Sequence, residues 1–231
     1  MRTGDRGQGT GDRKDQGRRG RVSVKICGLT RRDDALDALA AGADFLGFVF
    51  FPASRRRLDV DDCEWIREVP ARKVGVFRDQ DPDVVVEIRE RAGLDLVQLH
   101  GNEPPELCAA LGGPDRVWKA FPVAGAVDWA EVERFAGVAG ILFDTASPTG
   151  GGTGRRFDWS ALDGRPHGLT FWLAGGLTPE TVGDAVRRLQ PAGVDVASGV
   201  EAAVGRKDAA RMRSFVAAVR ATEEGEREAT S

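Results

Sequence analysis

The stretch LTFWLAGGLTPETVGDAVRRLQPAGVDVASGVE, residues 169–201, reads as one complete structural unit and the beginning of the next. A short apolar run, LTFWLA (169–174), halts at two glycines. A segment with apolar residues at helical spacing, TPETVGDAVRRLQ, follows it, and a second apolar run, VDVAS (194–198), halts at another glycine. Short β-branched and aromatic runs separated by segments of period 3.6 are the pattern of strand, helix and parallel strand. Both glycine turns leave backbone N–H groups unhindered. Each is expected to lead into a helix N-terminus, whose partial positive charge favours anions.

Working outward, the same alternation runs toward the N-terminus. Six earlier strands are predicted: VSVKI (22–26), DFLGFVF (44–50), KVGVF (73–77), DLVQL (95–99), VWKAF (117–121) and GILFD (140–144). Helical patterns intervene at DDALDALAAGA, DDCEWIREV, PDVVVEIRERAG, PPELCAALG and DWAEVERFAG, and DAARMRSFVAAVRA follows the eighth strand. The sixth connection is glycine-rich instead. Eight such units in about 200 residues predict an α/β fold, a (β/α)8 TIM barrel in a single domain. A doubly wound open sheet shares the periodicity, and the positions of the unusual residues separate the two. Cys27 ends the first strand, Arg55–Arg57 follow the second, His100 ends the fourth and Asp144 the sixth, and glycine turns follow the sixth, seventh and eighth. A barrel gathers the C-terminal ends of its strands at one mouth, where active sites sit. An open sheet would string the same groups along an edge.

The glycine turns are candidate phosphate sites: Gly152 and Gly154 in GGTG, Gly175 and Gly176 in AGGLTPE, and Ser198 and Gly199 in ASGVE. The loops after strands 7 and 8 are the usual phosphate site of this fold. A small phosphorylated molecule is the expected ligand.

Residues 1–21 carry six glycines, seven basic and three acidic residues, too little apolar surface to offset the entropy of ordering. They are expected to form a disordered basic tail, residues 22–221 the catalytic barrel, and 222–231 a disordered acidic tail. A net charge of −3 with 30% charged residues gives no positive field to draw nucleic acid or an anionic membrane. No apolar run is long enough to cross a bilayer or serve as a signal peptide. Cys27, Cys63 and Cys108 are odd in number and in no CxxC pair, so neither a disulfide framework nor a metal site is expected. A cytoplasmic monomer or homodimer fits these features.

VKICGLT (24–30), GADFLGFVFFPASRR (42–56), VGVF (74–77), VQLHGNE (97–103), KAF (119–121), LFDT (142–145) with GGTGRRFDW (151–159), LAGGLTPETV (173–182), and VDVASGVE (194–201) with GRKD (205–208) together resemble the phosphoribosylanthranilate isomerase family of tryptophan biosynthesis. The resemblance spans Val22 to about Val219. It implies an Amadori rearrangement of N-(5'-phosphoribosyl)anthranilate to the corresponding 1-deoxyribulose phosphate, with no metal and no cofactor. Ring opening needs an acid at the furanose oxygen, and the iminium formed then loses its C2' proton to a base. The family pattern implies Asp144 as that acid and Cys27 as the base. Standing alone, Cys27 would read as a buried hydrophobe and Asp144 as the cap of a turn. Lys25 shares a strand face with Cys27 by alternation.

Arg56 aligns with the arginine that holds the anthranilate carboxylate, although Arg55 and Arg57 leave the register open. His100 lines the mouth beside the substrate or secures a loop, and Asp195 contacts sugar hydroxyls or orients its neighbours. Ala197 departs from the serine frequent in the family. Two other functions compete: a dual-substrate isomerase that also takes the histidine-pathway aminoaldose, and a non-catalytic phospho-sugar-binding paralogue. Cys27 in place of an aspartate speaks against the first, and the pair Cys27 and Asp144 against the second.

Overall fold

A computed structural model describes residues 21–147 and 156–229. Eight parallel strands close into a barrel in sequence order: β1 (Ser23–Ile26), β2 (Phe45–Val49), β3 (Arg72–Phe77), β4 (Leu96–Leu99), β5 (Val117–Val123), β6 (Gly140–Thr145), β7 (Phe171–Leu173) and β8 (Gly193–Val196), with β8 pairing back onto β1. The barrel expected from the alternating pattern is present, with strand ends within two residues of expectation. Of the basic tail expected at residues 1–21, all but Arg21 lies outside the described residues, as do Gly152 and Gly154.

Alternation along each strand sorts the core into two compartments. Val24 and Ile26 of β1, with Val194 and Val196 of β8, join the apolar shell between barrel and helices. The residues between them point into the barrel. Its lower interior is apolar and aromatic: Phe45, Trp118 and Trp172 pack with ring centroids 4.3–5.3 Å apart. Gly193 makes room for this plug, because a Cβ there would lie 2.5 Å from the Trp172 ring. Higher up the lining turns polar. The register that sets Lys25 opposite Asp195 brings a buried ammonium to a buried carboxylate.

Outside the barrel lie α1 (Arg32–Ala40), α2 (Pro82–Ala92), α3 (Pro105–Ala110), α4 (Gly113–Arg116), α5 (Trp129–Glu133), α6 (Val182–Leu189) and α7 (Ala209–Ala229). Three expectations need correction. DDCEWIREV does not form an α-helix but two 3-10 turns, Val60–Asp62 and Glu64–Glu68. So short a segment gains little from helix propensity, and packing decides its winding. Cys63, Ile66 and Val69 are all buried at a spacing of three, the period of a 3-10 helix.

The turn after β8 does not open an α-helix either. It passes through a 3-10 turn (Ser198–Val200) into an antiparallel hairpin, β9 (Glu201–Ala203) and β10 (Arg206–Lys207), before α7. Finally, the acidic end does not leave the fold at residue 222. Helix α7 continues to Ala229, because Thr222 is buried and Glu223 accepts the Val22 amide at 2.9 Å. Arg220 adds bonds to the Val22 carbonyl (2.6 Å) and Asp44 (3.0 Å), so this helix pins the start of β1.

Candidate active site

A cavity opens at the C-terminal ends of the strands, with about 630 Å³ of space when the solvent at its mouth is included. Cys27, Arg56, His100, Asp144, Gly175, Gly176, Asp195 and Ser198 all line it. Residues scattered over 170 positions of sequence therefore share one wall, as the barrel expectation requires. Gly199 is not among the lining residues. A Cβ there would lie 1.9 Å from the Leu177 carbonyl, so it lets the loops after β7 and β8 touch.

Cys27 follows β1 and is 8% exposed. Gly47 on β2 gives it room, because a Cβ there would lie 2.8 Å from Sγ and 3.0 Å from Cε of Lys25. Thiol and ammonium thus share one small space. Burial pushes the Cys27 thiol above its ordinary value and the Asp195 charge adds to this; Lys25 and Lys207 oppose it without prevailing. At neutral pH Cys27 is therefore held as a thiol rather than a thiolate. Burial likewise works against the Lys25 charge, but Asp195 and Cys27 outweigh it and raise its pKa.

Asp195 accepts from Lys25 Nζ at 3.1 Å through Oδ2, while its buried Oδ1 has no partner. Burial raises the pKa of this carboxyl despite the lysine. A buried acceptor left unpaired is costly, and one that lines a cavity can be satisfied by a ligand hydroxyl.

Asp144 ends β6, with β7 and β8 between it and β1, so it faces Cys27 across the mouth. Its Oδ2 lies 3.3 Å from His100 Nε2, and the other ring nitrogen, Nδ1, lies 3.1 Å from the Gln98 amide nitrogen. With that amide donating to Nδ1, the ring proton sits on Nε2, on the side of Asp144. Two left-handed glycines, Gly175 (φ 88°) and Gly176 (φ 65°), carry the chain over the end of β6. A Cβ on Gly175 would lie 2.3 Å from Thr145 Oγ1, which excludes larger residues.

Of the three consecutive arginines, Arg55 and Arg57 are exposed and Arg57 pairs with Asp59; only Arg56 is buried against the cavity. Its stem passes Gly28 (φ 72°), where a Cβ would lie 2.5 Å from Cδ. The glycine after Cys27 thus serves the arginine. Glu201 takes the guanidinium fork at 2.7 Å (Nε) and 2.6 Å (Nη2).

Lys25 was placed beside Cys27 by strand alternation, and Gln98 beside His100 follows from the same period of two. Glu201 and Lys207 were quoted within motifs and given no role. Nothing local links Glu201 to an arginine 145 positions earlier.

Among the described residues no helix is long and apolar enough to cross a membrane. The family model described as "PRAI: N-(5'phosphoribosyl)anthranilate (PRA) isomerase" matches residues 24–218. A protein named N-(5'-phosphoribosyl)anthranilate isomerase from Myxococcus xanthus (strain DK1622) is 45% identical over 206 residues, covering 86% of this chain and 96% of its own. The crystal structure of phosphoribosyl anthranilate isomerase from Thermus thermophilus superposes with a TM-score of 0.74 at 39% identity, covering 87% of this chain and 99% of that one. A phosphoribosyl anthranilate isomerase in complex with reduced 1-(o-carboxyphenylamino)-1-deoxyribulose 5-phosphate gives a TM-score of 0.73 at 36% identity, over 87% and 99% of the two chains.

Proposed function

The chain belongs to the N-(5'-phosphoribosyl)anthranilate isomerase family and catalyses the Amadori rearrangement of that substrate to 1-(2-carboxyphenylamino)-1-deoxyribulose 5-phosphate, and we propose that Asp144 and Cys27 are its acid and base. The observation that supports these roles is their placement on β6 and β1, at facing sides of one cavity.

The chemistry follows in two proton transfers. Asp144 gives a proton to the furanose oxygen as its bond to C1' breaks, and the anthranilate nitrogen supplies the electron pair that forms the C1' iminium. Cys27 removes the C2' proton from the facing side, and the electrons flow into the iminium to give an enolamine. Tautomerisation to the ketone completes the rearrangement. The substrate's own nitrogen is the electron sink. His100 Nε2 lies 3.3 Å from Asp144 Oδ2 and stands beside the acid on the cavity wall. The iminium brings positive charge next to Cys27, adding to Lys25 and Lys207, and this favours the thiolate at the moment it is needed.

Substrate recognition is divided between the two ends of the ligand. The free edge of Arg56 takes the anthranilate carboxylate as a fork. The turns at Gly175 and Gly176, and at Ser198 and Gly199, take the phosphate, with Gly152 and Gly154 proposed from sequence to assist. Asp195 Oδ1, buried and unpaired, takes a sugar hydroxyl.

The test is incubation of the purified protein with freshly made phosphoribosylanthranilate, with identification of the product. Conversion to the deoxyribulose phosphate supports the assignment. Binding without turnover would leave a phospho-sugar-binding barrel instead.

A further inference from the structure

Glu201 begins β9, is buried, and has no part in the proton transfers described above. Both its oxygens are nevertheless committed. Oε1 accepts from Arg56 Nε (2.7 Å), Lys207 Nζ (3.0 Å) and the Gly205 amide (3.2 Å), and Oε2 accepts from Arg56 Nη2 (2.6 Å). Burial opposes its charge, but the hydrogen bond from Arg56 and the charge of Lys207 prevail and hold its carboxyl below the usual range.

We propose that Glu201 is a positioning residue for substrate recognition: it grips Arg56 by one edge of the guanidinium and so holds the opposite edge toward the cavity. The inference rests on the reading that Arg56 meets the anthranilate carboxylate.

A guanidinium has five N–H donors in a rigid plane. Glu201 takes the one on Nε and one on Nη2, which leaves the pair on Nη1 and the second on Nη2 for a ligand. Long side chains lose considerable rotamer freedom when they bind, and a fork already held in place loses less. The backbone supports the same posture. The Arg56 amide donates to Ser54 Oγ at 3.1 Å, and Gly28 leaves the slot that the stem fills.

Charge points the same way. Two buried cations, Arg56 and Lys207, share one carboxylate, so the cluster carries one net positive charge, enough for one ligand carboxylate. Lys207 also donates to the Ala197 carbonyl at 2.9 Å and so fixes the far side of the cluster to the loop after β8. Removing the Glu201 charge leaves Arg56 without its partner on that edge, and takes from Lys207, whose pKa burial already lowers, the charge that supports its own. The arginine then has reason to leave the cavity wall.

The experiment compares two ligands with the full chain: the reduced product analogue bearing the anthranilate carboxylate, and the same analogue without that carboxyl group. Dissociation constants are measured by titration for the parent, Glu201→Gln and Arg56→Ala. The expected result is that Glu201→Gln weakens the carboxylate ligand at least tenfold and the decarboxylated one less than threefold, with Arg56→Ala showing the same selectivity. The double variant should bind the carboxylate ligand within threefold of Arg56→Ala alone. A purely structural role for Glu201 would weaken both ligands alike and overturn the inference. So would no effect of Glu201→Gln on either ligand. If Arg56→Ala itself lacks selectivity, the reading of Arg56 fails and the inference falls with it. Should Glu201→Gln not fold, Glu201→Asp keeps the charge, shortens the reach and is judged by the same ratios.

Discussion

Because the site holds Cys27 as a thiol, its ionisation must climb steeply as the pH passes neutrality. Burial and the Asp195 charge place this thiol above its ordinary value of 9.0, even with Lys25 and Lys207 opposing. At pH 7 a thiol of that ordinary value is about 1% ionised, so the thiolate fraction in the free protein is below about 1%. An ultraviolet titration of the thiolate in the free protein, read against Cys27→Ser, should show that fraction rising close to tenfold per pH unit between pH 7 and 8 and still rising at pH 9, whereas kcat/KM does not report it alone because turnover needs Asp144 protonated as well. Once substrate is bound, the iminium adds a positive charge beside the sulfur. The thiol should therefore ionise at lower pH in the complex than in the free protein. The assay is the initial rate of phosphoribosylanthranilate consumption from pH 6 to pH 10, run on the parent, Cys27→Ser and Cys27→Ala. Both variants should keep the fold and the ligand affinity while kcat falls by about 10²-fold or more, the usual scale for loss of a positioned base. A thiolate signal already complete by pH 8 would refute the electrostatic argument. Turnover by Cys27→Ala within a few-fold of the parent would refute the assignment of the base.

Three further outcomes are expected. Lys25→Met strands the buried Asp195 charge and should cost about 3–5 kcal/mol of stability at pH 8 by denaturant unfolding. The sign with pH follows from Asp195, whose folded pKa is already raised and rises further without the lysine. The deficit should therefore shrink as pH falls and the carboxyl takes up its proton, and an equal deficit at pH 5 would contradict this. Gly193→Ala forces a methyl to within 2.5 Å of the Trp172 ring, and overpacking of this kind costs about 1–3 kcal/mol, read as a lower Tm with little change in KM. A chain beginning at Arg21 should retain at least half the parent's kcat/KM, because Val22 is where α7 first holds the backbone through Arg220 and Glu223.

The barrel and the mouth residues were legible in the sequence for a physical reason. A strand buried on both faces must be apolar, its helices must carry a 3.6-residue stripe, and the fold must bring the strand ends together. Alternation alone put Lys25 beside Cys27, because the period of a strand is two. The same local rules could not foresee the winding of DDCEWIREV or the length of α7. In those segments propensity is weak, and contacts made far along the chain decide: Cys63, Ile66 and Val69 against the core, and Glu223 against Val22.

Electrostatics was the part that only the tertiary structure decided. From sequence, Cys27 beside a lysine suggests a site that favours the thiolate. The folded barrel instead adds burial and the Asp195 charge, and the net effect reverses. Likewise local rules do not separate the three arginines at 55–57, among which only the resemblance points to Arg56, and the structure buries that one. Which of them lines the cavity depends on Gly28 opening a slot and Glu201 meeting the fork from 145 positions away. Periodicity reports which face of an element is buried, but it carries no information on which charges from distant elements meet there. Those meetings arise only when the barrel closes, and they set both the protonation state of Cys27 and the posture of Arg56.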